Sequence, residues 1–219
     1  MENLNGGSLT SSHLSDGSDE GCAMDAQGSP PDLHHYLKAG TTALHVAVES
    51  DVESLNPFAT VERYRTFILG NLSFYRAFEA WAAASGVSEV LRDWPARRKE
   101  AALVADAEDL AAYPDEEPAP PTELLPPAPV APSLLLGALY VTEGSTLGAA
   151  VLAKRAARLG FGPTWGARFF HFYGSQRTRR WRAFLQVLNA APLDAAGRTA
   201  ALDTALQTFE TYRRHVVAR

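Results

Sequence analysis

The sequence predicts an all-α protein folded as a single domain, and three observations carry that prediction. Apolar residues recur at helical spacing, as in Tyr64, Phe67, Ile68, Leu72, Tyr75 and Phe78, and no segment reads as a strand. With 219 residues, 46% of them hydrophobic, and four Trp, seven Tyr and ten Phe, the chain can bury one substantial core. Nothing recurs at a fixed period, which excludes a solenoid.

The elements follow in order. Residues 1–31 are rich in Gly, Ser and Asp and lack any period, so they are expected to be a disordered leader ahead of a helical domain spanning 32–219. "LHHYLKAGTTALHVAVES" from Leu33 predicts the first helix and "TVERYRTFILGNLSFYRAFEAWAAAS" the second. "VSEVLRDWPARRKEAALVADAEDLAAY" predicts a third, interrupted by Pro95. Residues 114–132, "PDEEPAPPTELLPPAPVAP", hold too many prolines for regular structure and read as an extended surface connection. A helix is then expected from Ser133, as its N-cap, to Leu159. A segment from Pro163 to Leu188 with a break near Gly174, and a last helix from Leu193 to Val216, complete six or seven helices.

Composition narrows the function. Net charge is −5, so a nucleic-acid site would need a strong local basic patch, and the single cluster "RTRRWR" comes with no groove-reading motif. The only cysteine, Cys22, lies in the leader, which removes an internal disulfide, a Cys-rich zinc site and a core thiol nucleophile and suits a reducing cytoplasm. No apolar run approaches the ~18 residues of a membrane span, and the N-terminus lacks the regions of a signal peptide. The chain has no Glu-x-x-His for a carboxylate-bridged di-iron bundle, no His-Glu-x-x-His, no phosphate loop and no Gly-x-Ser-x-Gly elbow.

Two stretches stand out. In "LGALYVTEGSTLGAAVLAK", Gly137, Gly144 and Gly148 fall within about 60° of one another on one helix face. Each interior glycine costs a helix roughly 1 kcal/mol relative to alanine. Either another helix packs closely there, or a flat ligand lies against bare backbone. In "YLKAGTTALHVAVES", His45 sits amid Leu44, Val46 and Val48, surroundings that favour the neutral, metal-binding imidazole. Glu49, four residues on, could orient that ring, and Lys38, two turns back, could reach a carboxylate at the edge of a ligand. His34, His35, His171 and His215 lack this combination of a Lys at i−7 and a Glu at i+4.

"LKAGTTALHVAVE" resembles the proximal helix of the heme oxygenases, and "LYVTEGSTLGA" is similar to their kinked distal helix, most closely in the branch associated with bacteriophytochromes. "FFHFYGSQRTRRWRAFLQVLNAA" and the last helix extend the resemblance over most of 32–217. The resemblance implies a heme-oxygenase-like fold with heme, at once substrate and cofactor, held between two helices. His45 would supply the axial nitrogen to iron with Glu49 behind it, and the backbone at Gly144 and Gly148 would lie over the other face. The reaction implied is ring opening to biliverdin, carbon monoxide and ferrous iron, using O2 and electrons from a ferredoxin, flavodoxin or reductase, with the bilin supplied to a phytochrome. By the same resemblance Arg182, and secondarily Arg177, would face a heme propionate, as guanidinium suits carboxylates. Phe209 would form an aromatic wall, and Tyr140 and Tyr173 would hydrogen-bond propionates or pocket water. Arg179 and Arg180 read as a solvated face or a steering surface for an acidic partner. Many heme oxygenases carry an aspartate where this chain has Ser145, which holds water without a charge. That departure keeps a noncatalytic heme carrier or sensor open as an alternative, beside a helical interaction protein with no cofactor.

Overall fold

The computed structural model describes residues 32–111 and 125–217; the leader and most of the proline-rich connection lie outside the described residues. The helices are α1 (Leu33–Ser54), α2 (Val61–Ala84), the single turn α3 (Val87–Val90), α4 (Glu100–Asp109), α5 (Pro132–Gly144), α6 (Ala149–Arg158), α7 (Arg177–Ala190) and α8 (Ala195–Val216). Among the described residues there is no strand, so the fold is all-α as expected.

Side-chain caps start three of the long helices. The carboxylate of Asp32 accepts the His35 N–H at 2.8 Å, the Thr60 hydroxyl accepts the Arg63 N–H at 3.3 Å, and Asp194 accepts the Gly197 N–H at 2.8 Å. Pro95 sits in a 3-10 turn, Trp94–Ala96, between α3 and α4, so the predicted interruption is a real break.

Helix α2 runs through the centre. Tyr64, Phe67, Ile68, Leu72, Phe74, Tyr75 and Phe78 are buried there. At Gly70 the backbone of α8 comes so close that a Cβ would lie 2.9 Å from the His215 carbonyl oxygen. Helix α5 packs along α8, and α1 and α2 also lean on it. Gly137 makes the first contact possible, since a Cβ there would meet the Ala201 carbonyl oxygen at 1.9 Å.

Three expectations need correction. Ser133 is not the N-cap: Ala131 occupies that position with an extended backbone, Pro132 opens the helix, and Ser133 is buried in its first turn. The helix expected from Ser133 to Leu159 is instead α5, a 3-10 turn at Ser145–Leu147, and α6, with a bend of 47° between the parts. The segment after Pro163 stays non-helical up to Arg177 apart from 3-10 turns at Phe169–His171 and Gly174–Gln176, because Gly166 and Gly174 adopt φ of +73° and +49°, outside the right-handed helix. Buried Asp106 secures this segment by accepting the Arg168 and Phe169 N–H groups at 2.8 and 2.9 Å.

Candidate functional site

A cavity of about 870 Å³ opens between α1 on one side and the α5–α6 bend on the other, with α2 and the 169–173 segment behind. Its size lies within the ~300–1,000 Å³ typical of cofactor sites. Lys38, His45 and Glu49 line it from α1, and Tyr140, Gly144, Ser145 and Gly148 from the facing segment. Tyr173, Arg177, Trp181 and Phe209 complete the wall. Of the residues that the resemblance places against heme, Arg182 stays outside this lining, and Gly137, the third glycine of the face, does too.

The α1 wall follows from helix periodicity. Leu33, Leu37, Thr41 and Val48 face the core, which leaves Lys38, His45 and Glu49 on the adjoining stripe. His45 is 52% exposed, its Nε2 lies 3.5 Å from a Glu49 carboxylate oxygen, and its ring meets the Phe209 ring edge-on at 5.7 Å. The apolar surroundings expected for His45 are only partly present, since Val46 points to solvent while Val48 and Phe209 are buried. Three turns upstream on α1, burial lowers the pKa of His34, aided by the charges of His35 and Lys38 and opposed by Asp32.

Across the cavity the three glycines divide into two classes. Gly137 is filled by α8, whereas a Cβ at Gly144 would meet only the Trp181 indole at 3.7 Å, and one at Gly148 only the Ser145 carbonyl oxygen at 3.8 Å. Neither backbone needs a glycine, because φ is −62° at Gly144 and −74° at Gly148. Bare main chain therefore borders a cavity where neither conformation nor a protein neighbour requires it, so a cradle exists that two Cβ atoms would fill. This is the fit expected for a flat ligand.

Ser145 donates its hydroxyl to the Thr142 carbonyl at 3.0 Å, and Tyr75 Oη lies 3.3 Å from Ser145 Oγ. With the serine proton committed to Thr142, Tyr75 is the donor of the second bond. Burial pushes the Tyr75 phenol well above its ordinary pKa, so it stays protonated.

Sequence reasoning missed the charged cluster beneath this turn. Glu143, only 1% exposed, accepts hydrogen bonds from Arg97 at 2.5 Å, Lys99 at 2.8 Å and the Tyr173 hydroxyl at 2.9 Å. Burial raises the Glu143 carboxyl, but Lys99, Arg97 and Tyr173 outweigh it and hold the group below the ordinary carboxylate range. Lys99 lines the cavity with its ammonium 5.4 to 5.9 Å from the ring centres of Tyr173, Tyr75 and Phe172. The one available signal was an acid ending an otherwise apolar helix; its partners, in "ARRKE", read as ordinary surface charge.

Three assignments change accordingly. The Tyr173 hydroxyl donates its proton to Glu143, so that proton fixes the wall and is not offered to a carboxylate in the cavity. Arg182 is exposed because Arg177 and Trp181, one turn apart, form the cavity face of α7 and residue 182 lies about 100° round from Trp181. Arg180 is no merely solvated charge, since it pairs with Asp93 at 2.9 Å and its carbonyl accepts from Arg97.

Comparison with known proteins bears on the family and the fold. The chain is 28% identical over 173 residues to the heme oxygenase PigA of Pseudomonas aeruginosa, covering 78% of this chain and 85% of that protein. It superposes on the NO- and CO-bound heme oxygenase of Neisseria meningitidis with a TM-score of 0.73 and 30% identity, over 84% of this chain and 90% of that one. The heme oxygenase of Leptospira interrogans gives a TM-score of 0.72 at 19% identity, covering 86% and 100% of the two chains, and so supports the fold. The same holds for heme oxygenase-1 of Synechocystis, solved in complex with heme, at 0.65 and 21% over 85% and 91%. Residues 31–218 match the heme oxygenase family, and with its cavity between a histidine-bearing helix and a glycine-bearing bend, this chain belongs to that family.

Proposed function

We propose that the chain binds heme in this cavity and opens the ring to biliverdin, carbon monoxide and ferrous iron. The observation that carries the reading is the pair Gly144 and Gly148, whose missing side chains leave room that no protein atom takes, opposite His45. Bound heme would supply both the redox-active iron and the ring that is cut, with electrons from an external donor.

The chain's own residues divide the remaining work. His45 would hold the iron from the α1 side, with Glu49 orienting the imidazole. Lys38 and Arg177, on opposite walls, supply cations for the ligand's carboxylates. Phe209 buttresses the imidazole, and the Gly144–Gly148 turn limits how a small molecule can tilt on the opposite side. Tyr75 and Ser145 take the place of an ionised acid: the phenol donates to the serine oxygen, which keeps one lone pair for cavity water. Proton delivery without a strong acid is what ring attack requires. Arg179 and Arg182, exposed on α7, suit an acidic donor such as a ferredoxin, flavodoxin or reductase domain. The likeness of residues 139–149 to the phytochrome-associated branch supports a bilin-requiring phytochrome as the product's destination, and the lone Cys22 suits a reducing cytoplasm.

Hemin titration tests the reading. Wild-type protein is expected to give a stoichiometric Soret band that His45→Ala weakens and shifts, and reductant in air should replace that band with red absorbance. Retention of the Soret band under those conditions would mark a heme carrier, and no Soret band would end the heme assignment.

A further inference from the structure

We propose that Asp32, His34 and His35 form a binding site for a divalent first-row metal ion at the rim of the cavity, and that this site accepts the iron released from it. The first half of this proposal stands on the apoprotein; the second rests on the ring-opening reading above. One donor atom from each of the three residues lies within 4.8 Å of the others. Metal–ligand bonds of about 2.1 Å place neighbouring donors roughly 3 to 4 Å apart, so small rotamer changes bring the set to coordination distance.

The donor set sharpens the assignment. Two imidazoles and one carboxylate with the remaining positions open favour ferrous iron and its neighbours in the first row over calcium or magnesium, which take oxygen. The carrier backbone is fixed from a second helix. Asn189 of α7 accepts the His34 N–H at 3.0 Å and donates to Asp32 Oδ2 at 3.2 Å. Asp32 Oδ1 accepts the His35 N–H at 2.8 Å and lies 2.7 Å from His35 Nδ1. A carboxylate has about four lone-pair positions, so these bonds leave it able to ligate.

Position ties the trio to the cavity. His34 lines it, with its ring 6.2 Å from Tyr140 and 5.8 Å from Trp181. It precedes His45 by eleven residues, about three turns along one stripe of α1. Asp32 and His35 are exposed, which leaves the outer side of the trio open to solvent and to a chelator. A cation leaving the cavity along α1 therefore meets two imidazoles and a carboxylate at its edge.

The test uses Co2+ as a spectroscopic probe on the full-length apoprotein. Wild type is expected to take up one Co2+ per chain, displaced by Fe2+ without oxygen. Asp32→Asn, which preserves the helix cap, and His35→Gln should each weaken uptake at least tenfold while leaving the hemin titration unchanged. Uptake equal in both variants, or no uptake at millimolar Co2+, overturns the site whatever hemin does. If Co2+ binds as expected and no Soret band forms in any protein, the heme reading fails and the metal site survives. In single turnover, a colorimetric Fe2+ chelator should capture iron several-fold faster from Asp32→Asn than from wild type; equal rates overturn the iron-accepting role.

Discussion

Replacing glycines one at a time by alanine separates the packing role from the ligand role along a single polypeptide segment. At Gly137 the new methyl would lie 1.9 Å from the Ala201 carbonyl oxygen and 2.8 Å from its carbon, so α5 must move off α8 by roughly 1 Å or more to reach ordinary contact. Overpacking of this kind costs about 1–3 kcal/mol, which for a chain of this size lowers Tm by about 3–10 °C. At Gly148, which caps α6, the nearest atom is 3.8 Å away and φ is −74°, so alanine fits without a clash and loses only the modest N-cap preference for glycine, about 1 kcal/mol or less. Its Tm should stay within about 4 °C of wild type. The same methyl narrows the cavity, and hemin affinity is expected to fall at least tenfold, about 1.4 kcal/mol. Differential scanning fluorimetry of the apoproteins and Soret titration give the two numbers for each variant. Unchanged hemin affinity in Gly148→Ala, or a wild-type Tm in Gly137→Ala, would refute the division.

Further outcomes follow from the site. Glu143→Gln leaves Arg97 and Lys99 buried without their acid and should cost about 3–5 kcal/mol at neutral pH by chemical denaturation. The folded Glu143 pKa lies below its ordinary 4.5, so its stabilisation is complete above that value and is lost as pH falls through the folded pKa; the acid-side decline in wild-type stability should flatten in Glu143→Gln. Arg177→Gln should weaken hemin binding several-fold, whereas Arg182→Gln, outside the cavity, should leave it unchanged. Tyr75→Phe removes the donor to Ser145 and should slow ring opening about tenfold or more at unchanged hemin affinity, measured as loss of the Soret band under reductant.

Much of the fold was legible because long helices advertise themselves locally. The spacing of Tyr64, Phe67, Ile68 and Phe78 marks the buried side of α2, and the last helix, expected from Leu193 to Val216, is found as α8 from Ala195. The α1 half of the site was equally plain, since Lys38, His45 and Glu49 share one helix and its period places them together. The other half was not. Whether Gly137 or Gly148 faces a neighbour depends on where α8 lies and on the break at Ser145–Leu147, both tertiary facts. The break expected near Gly174 is present, but the segment from Pro163 up to it is non-helical too, because Gly166 also takes a left-handed backbone that composition alone did not demand. Arg97, Lys99 and Glu143 converge from segments more than forty residues apart, and a buried trio of that kind has no periodic signature.

The bend at Ser145–Leu147 also governs how the protein's stability is assembled. Upstream, α5 is locked by Gly137 against α8 and by Glu143 against two cations. Downstream, Leu147 and Val151 turn exposed hydrocarbon toward the cavity. The cover thus joins an arm held wholly by the protein to one that is anchored through Ala153 and Ala156 yet leaves an apolar underside to the cavity. On the proposed reading, a bound heme would cover that hydrocarbon and so add to the stability of the fold by linkage.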